Sequence, residues 1–284
     1  MPQELRRIFD EDAERYARAR PGYPAELFTD LAELTEIGPG DGKPRRGRVL
    51  EIGPGTGQAT AELVRLAADV TAVELGPDLA AALGQQLAPA LAGGSFGIEV
   101  GAFEEWPLPS EPFDVVACFT AWHWLDPKVR SAKVAAALSP GGSLATVTTF
   151  HVRGGTVPFF AEAQDCYMRW DPATEPGIQL EEADSIPPAR DEADTSVAFE
   201  PAIRRRYRQD LTYSTAAYLD LLNTYSGHRA LPADRRAGLL GCLADLIDHR
   251  YGGTVTKSYL YELRVARTPS DPTSARQSAS PDSA

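Results

Sequence analysis

Apolar positions fall first at helical spacing and then in short, strand-length runs. Residues 3–35 read as two helical pieces, broken at Pro21-Gly22-Tyr23-Pro24, where two prolines and a glycine stop one helix and start another. Residues 36–47 read as a loop. From Arg48 the rhythm changes: apolar runs at 48–52, 70–74, 96–100, 113–119 and 143–150 alternate with helical patterns near 58–67, 77–91 and 128–138. The last of these helices is expected to end at Pro140-Gly141-Gly142. This alternation predicts an α/β fold with a mainly parallel sheet and crossover helices.

After Phe150 the rhythm breaks. Residues 151–200 contain one expected helix, at 158–169, and then an acidic, proline-bearing stretch from Asp171 to Ser196. A loop this long within a compact domain acts as a lid or is disordered. A strand is expected near 202–212, helices near 215–226 and 232–249, and a final strand over 254–265. The tail from Thr268 has almost no apolar residue and is expected to be disordered. The reading is one domain over 1–267, with a lid insertion at about 151–200 and a tail over 268–284.

Charge and cysteine content narrow the function classes. The 284 residues carry 28 Lys and Arg against 40 Asp and Glu, a net charge of −12. Phosphate neutralisation needs clustered cations, so a nucleic-acid partner is not expected. The one basic run, Arg204-Arg205-Arg206 with Arg208, alternates like a strand and is expected to face solvent in part. The three cysteines, Cys118, Cys166 and Cys242, are far apart, so neither a disulfide framework nor a metal site is expected. The charged N-terminus has no apolar signal region and no stretch is long enough for a membrane span, so a cytoplasmic monomer or homodimer is expected.

The strongest chemical signal is Glu51-Ile52-Gly53-Pro54-Gly55-Thr56-Gly57-Gln58, where an apolar strand runs into three glycines at alternate positions. Glycine is needed where the chain turns sharply and a ligand lies against the backbone. The dinucleotide fingerprint is G-x-G-x-x-G, whereas here the third glycine comes one residue early and Gln58 stands in its place. The next strand ends at Glu74-Leu75, twenty-one positions after Gly53. An acid at that place reaches ribose hydroxyls in doubly wound nucleoside-binding folds.

Four further segments join this pair: Tyr16-Ala17-Arg18-Ala19-Arg20-Pro21-Gly22-Tyr23-Pro24, Phe113-Asp114-Val115-Val116, Trp122-His123-Trp124-Leu125-Asp126 and Leu138-Ser139-Pro140-Gly141-Gly142. With E-x-G-x-G-x-G they resemble the class I S-adenosylmethionine-dependent methyltransferases over roughly residues 10–267. Within that family they resemble the small-molecule branch that includes trans-aconitate methyltransferase. The resemblance implies a Rossmann-like seven-stranded sheet, helices on both faces, a last strand inserted antiparallel between the fifth and sixth, and a helical lid between those two strands. It implies S-adenosylmethionine as cofactor and a small-molecule acceptor.

By the same resemblance Glu51, Gly53, Gly55, Gly57 and Gln58 surround the methionine portion, and Glu74 and Leu75 the ribose. Ala102 and Phe103 would contact the adenine, although the acid common after Gly101 is here Ala102, with Glu104 or Glu105 as substitutes. Thr120 would lie beneath the cofactor, with Tyr16 and Arg20 folding over it. His123 is the candidate general base, since it follows the fourth strand at the ligand-binding end of the sheet and titrates near neutrality. Trp122 and His123, with Tyr225 and His228 farther on, are the expected acceptor contacts, while His151 and His249 are expected to be structural. Two alternatives stand beside this reading: a protein or RNA acceptor, and a cofactor-binding protein that transfers no methyl group.

Overall fold

The structure, a computed structural model, describes residues 9–39, 45–67, 69–87, 95–171, 173–175, 177 and 179–270. Two helices precede the sheet, α1 (Ala13–Ala19) and α2 (Ala25–Thr35). The Asp12 carboxylate caps α1 by accepting from the Arg15 amide at 3.1 Å. Arg20 ends it in an extended conformation, as a residue before proline must. Within the expected 36–47 loop, Gly38–Pro39 and Arg45–Arg46 form a short antiparallel pair.

Strands β1 (Arg48–Ile52), β2 (Asp69–Glu74), β3 (Ser95–Val100), β4 (Phe113–Phe119) and β5 (Leu138–Val152) pair in parallel in the order 3-2-1-4-5. Helices α3 (Thr60–Leu66), α4 (Pro77–Leu87) and α5 (Arg130–Ala137) make the crossovers. With β6 (Ile203–Ser214) and β7 (Thr254–Arg267) the sheet has seven strands in the order 3-2-1-4-5-7-6. The last strand in sequence therefore stands between the fifth and the sixth. Pro140-Gly141-Gly142 lies inside β5 instead of separating it from α5. The sheet accommodates the turn by a register shift: Phe113 pairs with Leu138, but Val115 pairs with Ser143. The expected helix at 77–91 is described to Leu87, and residues 88–91 lie outside the described ones.

Contacts gather the described residues into two compact units. One comprises Met1–Pro21, Thr149–Pro187 and Tyr207–Tyr261; the other comprises Gly22–Thr148, Pro188–Arg206 and Glu262–Ala284. We call them the first and second units. The lid expected over 151–200 thus supplies only part of the first unit, which also takes in the N-terminal helix and the helices after β6.

In the second unit the near-continuous apolar runs of β1 and β4 bury Leu50, Ile52, Val116 and Cys118 with Phe103, Phe113 and Val134. Each buried aliphatic or aromatic side chain contributes about 1.5–3 kcal/mol. The segment 188–206 is tied to this core by charge. Arg130 meets Glu192 through Nε and Nη2 at 2.6 and 2.7 Å, and Arg264 Nε donates to Asp194 at 3.0 Å. The basic run faces solvent in part, as expected: Arg205, Arg206 and Arg208 are exposed, while Arg204 pairs with Asp194 and Arg206 also reaches the buried Glu262. The tail is not free from Thr268, which is buried and donates its amide to the Gly142 carbonyl at 2.8 Å. Residues 271–284 lie outside the described ones.

The first unit is built on α6 (Val157–Trp170), α7 (Thr215–Leu222), α8 (Ser226–Arg229) and α9 (Ala233–Arg250). Leu239, Leu243 and Ile247 repeat every fourth residue along α9 and pack against Phe159, Ala163 and Cys166 of α6 and Tyr218 of α7. The α6–α9 approach is close enough that a Cβ on Gly238 would lie 2.4 Å from the Trp170 ring. The same approach brings Cys166 and Cys242 together, and they form a disulfide. The expectation of unpaired cysteines is therefore corrected: the pair comes from helix packing across 76 residues, which spacing motifs do not register. No described helix is long and apolar enough to cross a membrane.

Candidate active site

The second unit builds a ligand cradle at the carboxyl end of β1. Gly53, Gly55 and Gly57 all adopt left-handed backbone, with φ of 65°, 59° and 98°. A Cβ on Gly53 would sit 2.8 Å from the Ala121 Cβ, so both conformation and space demand glycine there. Glu74, buried at the end of β2, ties the loop down: its carboxylate accepts from the Gly55 amide and the Gly76 amide, each at 2.9 Å. Leu75, half-buried, lies between Glu74 and Gly76. Gln58 turns inward and donates to the Thr56 hydroxyl at 2.8 Å.

Glu51 is the unusual member. It is 1% exposed, and neither carboxylate oxygen accepts a hydrogen bond; the neighbouring Thr60 hydroxyl is likewise unpaired. Burial pushes its pKa up to about 8, eased by Thr60 and reinforced by the Glu74 charge. A buried carboxyl with only the Thr60 hydroxyl near enough to ease its charge, set beside a glycine cradle, is a site for a ligand that brings donors of its own.

The ends of β2 and β3 lie together, since the Gly101 amide donates to the Glu74 carbonyl at 2.8 Å. Ala102 follows, half-buried, while the Phe103 side chain is fully buried in the core, leaving its backbone as its means of contact. Glu104 accepts from the Asp126 amide at 3.0 Å, and Glu105 is exposed. Thr120 holds a left-handed φ of 56°, an uncommon state for a β-branched residue that costs on the order of 1–3 kcal/mol. Its amide donates to Val147 at 2.8 Å, and its hydroxyl lies 3.1 Å from the Tyr23 hydroxyl. Strain of this kind persists where the surroundings fix it, and here it turns the chain immediately after β4.

Trp122 is drawn into the core. Its indole N–H donates to Asp191 at 2.6 Å, and the Arg130 guanidinium lies 4.7 Å from its ring centroid. Its indole N–H is thus engaged by the 188–206 segment and one ring face by Arg130 of α5. His123 is exposed beside Trp124, with ring centroids 5.1 Å apart. Partial desolvation, then the Arg130 charge, lower its pKa, so it is neutral at pH 7 and able to accept a proton.

The first unit holds Tyr16, Arg20, Tyr225 and His228. Arg20 donates to the Thr224 carbonyl at 2.9 Å, and its guanidinium lies 5.0 Å from the Tyr16 ring centroid and 4.7 Å from that of Tyr225. Tyr225 and His228 line a cavity of about 550 Å³. The Tyr167 hydroxyl lies 3.0 Å from His228 Nε2. His151, expected to be structural, lines the same cavity; burial and the Lys257 charge lower its pKa to about 3. Sequence reasoning also missed Lys257 and Tyr167, both cavity-lining. The available signal was Lys257 itself, the one cation in the otherwise apolar and hydroxylated run from Thr254 to Tyr261.

Residues 50–146 match the family model of a methyltransferase domain. A methyltransferase of Mycobacterium tuberculosis is 36% identical over 132 residues, covering 46% of this chain and 48% of that protein. A methyltransferase of Geobacillus kaustophilus is 29% identical over 152 residues, covering 52% of this chain and 68% of that protein. The chain thus spans about half the length of the mycobacterial relative. Among solved structures, a protein of Anaeromyxobacter dehalogenans assigned to the type II methyltransferases aligns with a TM-score of 0.56 and 23% identity, over 88% of this chain and 99% of that one. At that identity the likeness establishes the fold alone, and it agrees with the seven-stranded order.

Proposed function

We propose that this chain is an S-adenosylmethionine-dependent methyltransferase acting on a small-molecule acceptor, of the branch its sequence resembles. The observation that carries the reading is the cradle at Gly53, Gly55 and Gly57, bordered by the unpaired, buried Glu51 and by Glu74. The residues present fit the cofactor. An ammonium brought beside Glu51 draws its carboxyl back to the ionised form, whose oxygens accept from it, and the glycines leave room for the cofactor's backbone-hugging portion. Glu74 is a carboxylate with about four acceptor sites, two of which serve the Gly55 and Gly76 amides. When bound, the cofactor supplies a methyl group already activated on a sulfonium.

The protein's task is then alignment, which is worth on the order of 7–11 kcal/mol when it is good. Thr120 and its rigid turn fix the chain after β4, and Glu74 holds the loop against β2. His123, neutral and accessible, takes a proton from an acceptor that must lose one, a contribution of about 10²–10⁴-fold. Its lowered pKa keeps the imidazole in the unprotonated form a base needs, at the cost of weaker basicity. The net charge of −12 favours a small molecule over nucleic acid as the acceptor.

Calorimetric titration with S-adenosylmethionine and S-adenosylhomocysteine tests this reading. Micromolar binding is expected, weakened at least tenfold, about 1.4 kcal/mol, by Glu74→Ala. Absence of binding by the folded protein overturns it.

A further inference from the structure

We propose that the cavity of the first unit binds a compact, largely apolar molecule carrying a single carboxylate, seated at Lys257. The site lies wholly within that unit. Its volume, about 550 Å³, falls in the range of about 300–1,000 Å³ usual for small-molecule sites. The walls are mostly apolar, with Val157, Phe160, Ala163, Leu180 and Leu222 among them. Among the described residues, no aspartate or glutamate lines the cavity.

Lys257 is the decisive feature. It is 5% exposed, yet it reaches the cavity and forms no ion pair among the described residues. What surrounds its ammonium is aromatic: Nζ lies 5.5 Å from the Phe160 ring centroid and 5.7 Å from that of Tyr259. Ring faces attract a cation but do not neutralise it. A buried charge without a counter-ion is costly, and proteins pair such charges or bind something that does.

The nearest carboxylate charge felt in the cavity is that of Asp171, at His228 and Tyr167, and it forms no ion pair with Lys257 among the described residues. His151 and His228 line the same cavity with lowered pKa values; desolvation is the main cause for each and the Lys257 charge adds to it, while at His228 the Asp171 charge opposes. Burial also holds the Tyr225 hydroxyl protonated, with its pKa raised to about 12. The other cation, Arg153, is half exposed and faces Glu182 at 3.5 Å. One uncompensated ammonium with neutral hydrogen-bonding neighbours matches one monoanionic group. A dianionic phosphate would call on a second cation, and the wall's other one, Arg153, already faces Glu182. The apolar remainder of the wall then selects the body of the ligand.

Binding here does not presuppose methyl transfer, so this proposal and the one above fail separately. The test uses the full chain with 4-phenylbutyrate and its neutral amide as probes, followed by calorimetry. The carboxylate is expected to bind at least tenfold tighter than the amide. Lys257→Met is expected to remove that preference, and Lys257→Arg to restore part of it. Circular dichroism and thermal melting of the same samples report whether the variants remain folded. Equal binding of acid and amide by the unaltered protein, or no binding of either, overturns the proposal. So does a carboxylate preference that survives in a folded Lys257→Met protein.

Discussion

At the scale of single residues, Glu51 ties stability to pH in the direction opposite to most carboxylates. Its pKa in the folded protein is about 8, whereas the unfolded chain releases the proton near the ordinary value of 4.5. Between those two values the folded state holds more protons than the unfolded one, so stability falls as pH rises through the window. Glu51→Gln keeps the shape and removes the charge. Its melting temperature is expected to exceed that of the unaltered protein, by little near pH 5 and by more near about pH 8. A variant less stable at the higher pH would mean that the ionised carboxylate is satisfied inside the protein. The motif around Glu51 was legible because glycines at alternate positions after an apolar strand carry a steric requirement that spacing alone reveals. Lys257 was not, since a strand pattern does not distinguish a face lining a cavity from one facing solvent.

At the scale of elements, the 188–206 segment shows how an acidic stretch with little regular structure before its strand is anchored. Asp191 and Glu192 grip Trp122 and Arg130 from outside the sheet pattern, with Ser131 donating to Glu192 at 2.8 Å. Arg130 has only 9% of its side chain exposed, so removing its partner strands a charge. Breaking a buried pair costs about 3–5 kcal/mol. With Glu192 one-third exposed, Glu192→Ala is expected to cost less, about 2 kcal/mol in chemical denaturation. A cost near zero would show Arg130 to be satisfied by water and by the Trp122 carbonyl. The strands at 48–52 and 113–119 could be read from the sequence because buried parallel strands are continuous apolar runs. The 188–206 contacts could not, because they join acids in a loop to cations and an indole some seventy residues away.

At the scale of the whole molecule, the chain gathers its first unit from three separated stretches, whereas the sequence suggested only the middle one. Loss of the strand–helix rhythm marks where an insertion starts, but the contacts that complete the unit are made by helices with ordinary amphipathic patterns. The Cys166–Cys242 bond lies within that unit and closes a separation of 76 residues. In the chain-entropy account a loop of that size is worth about 4 kcal/mol. The glycine cradle, Glu51 and Glu74 all belong to the second unit. Reduction is therefore expected to raise amide exchange in α6 and α9 while leaving S-adenosylmethionine affinity within about twofold, about 0.4 kcal/mol. Hydrogen exchange and calorimetry on the same oxidised and reduced samples measure both. Unchanged exchange in both helices would mean that their apolar packing alone holds them. A collapse of cofactor affinity on reduction would mean that the cradle depends on the fold of the first unit and is not complete within the second.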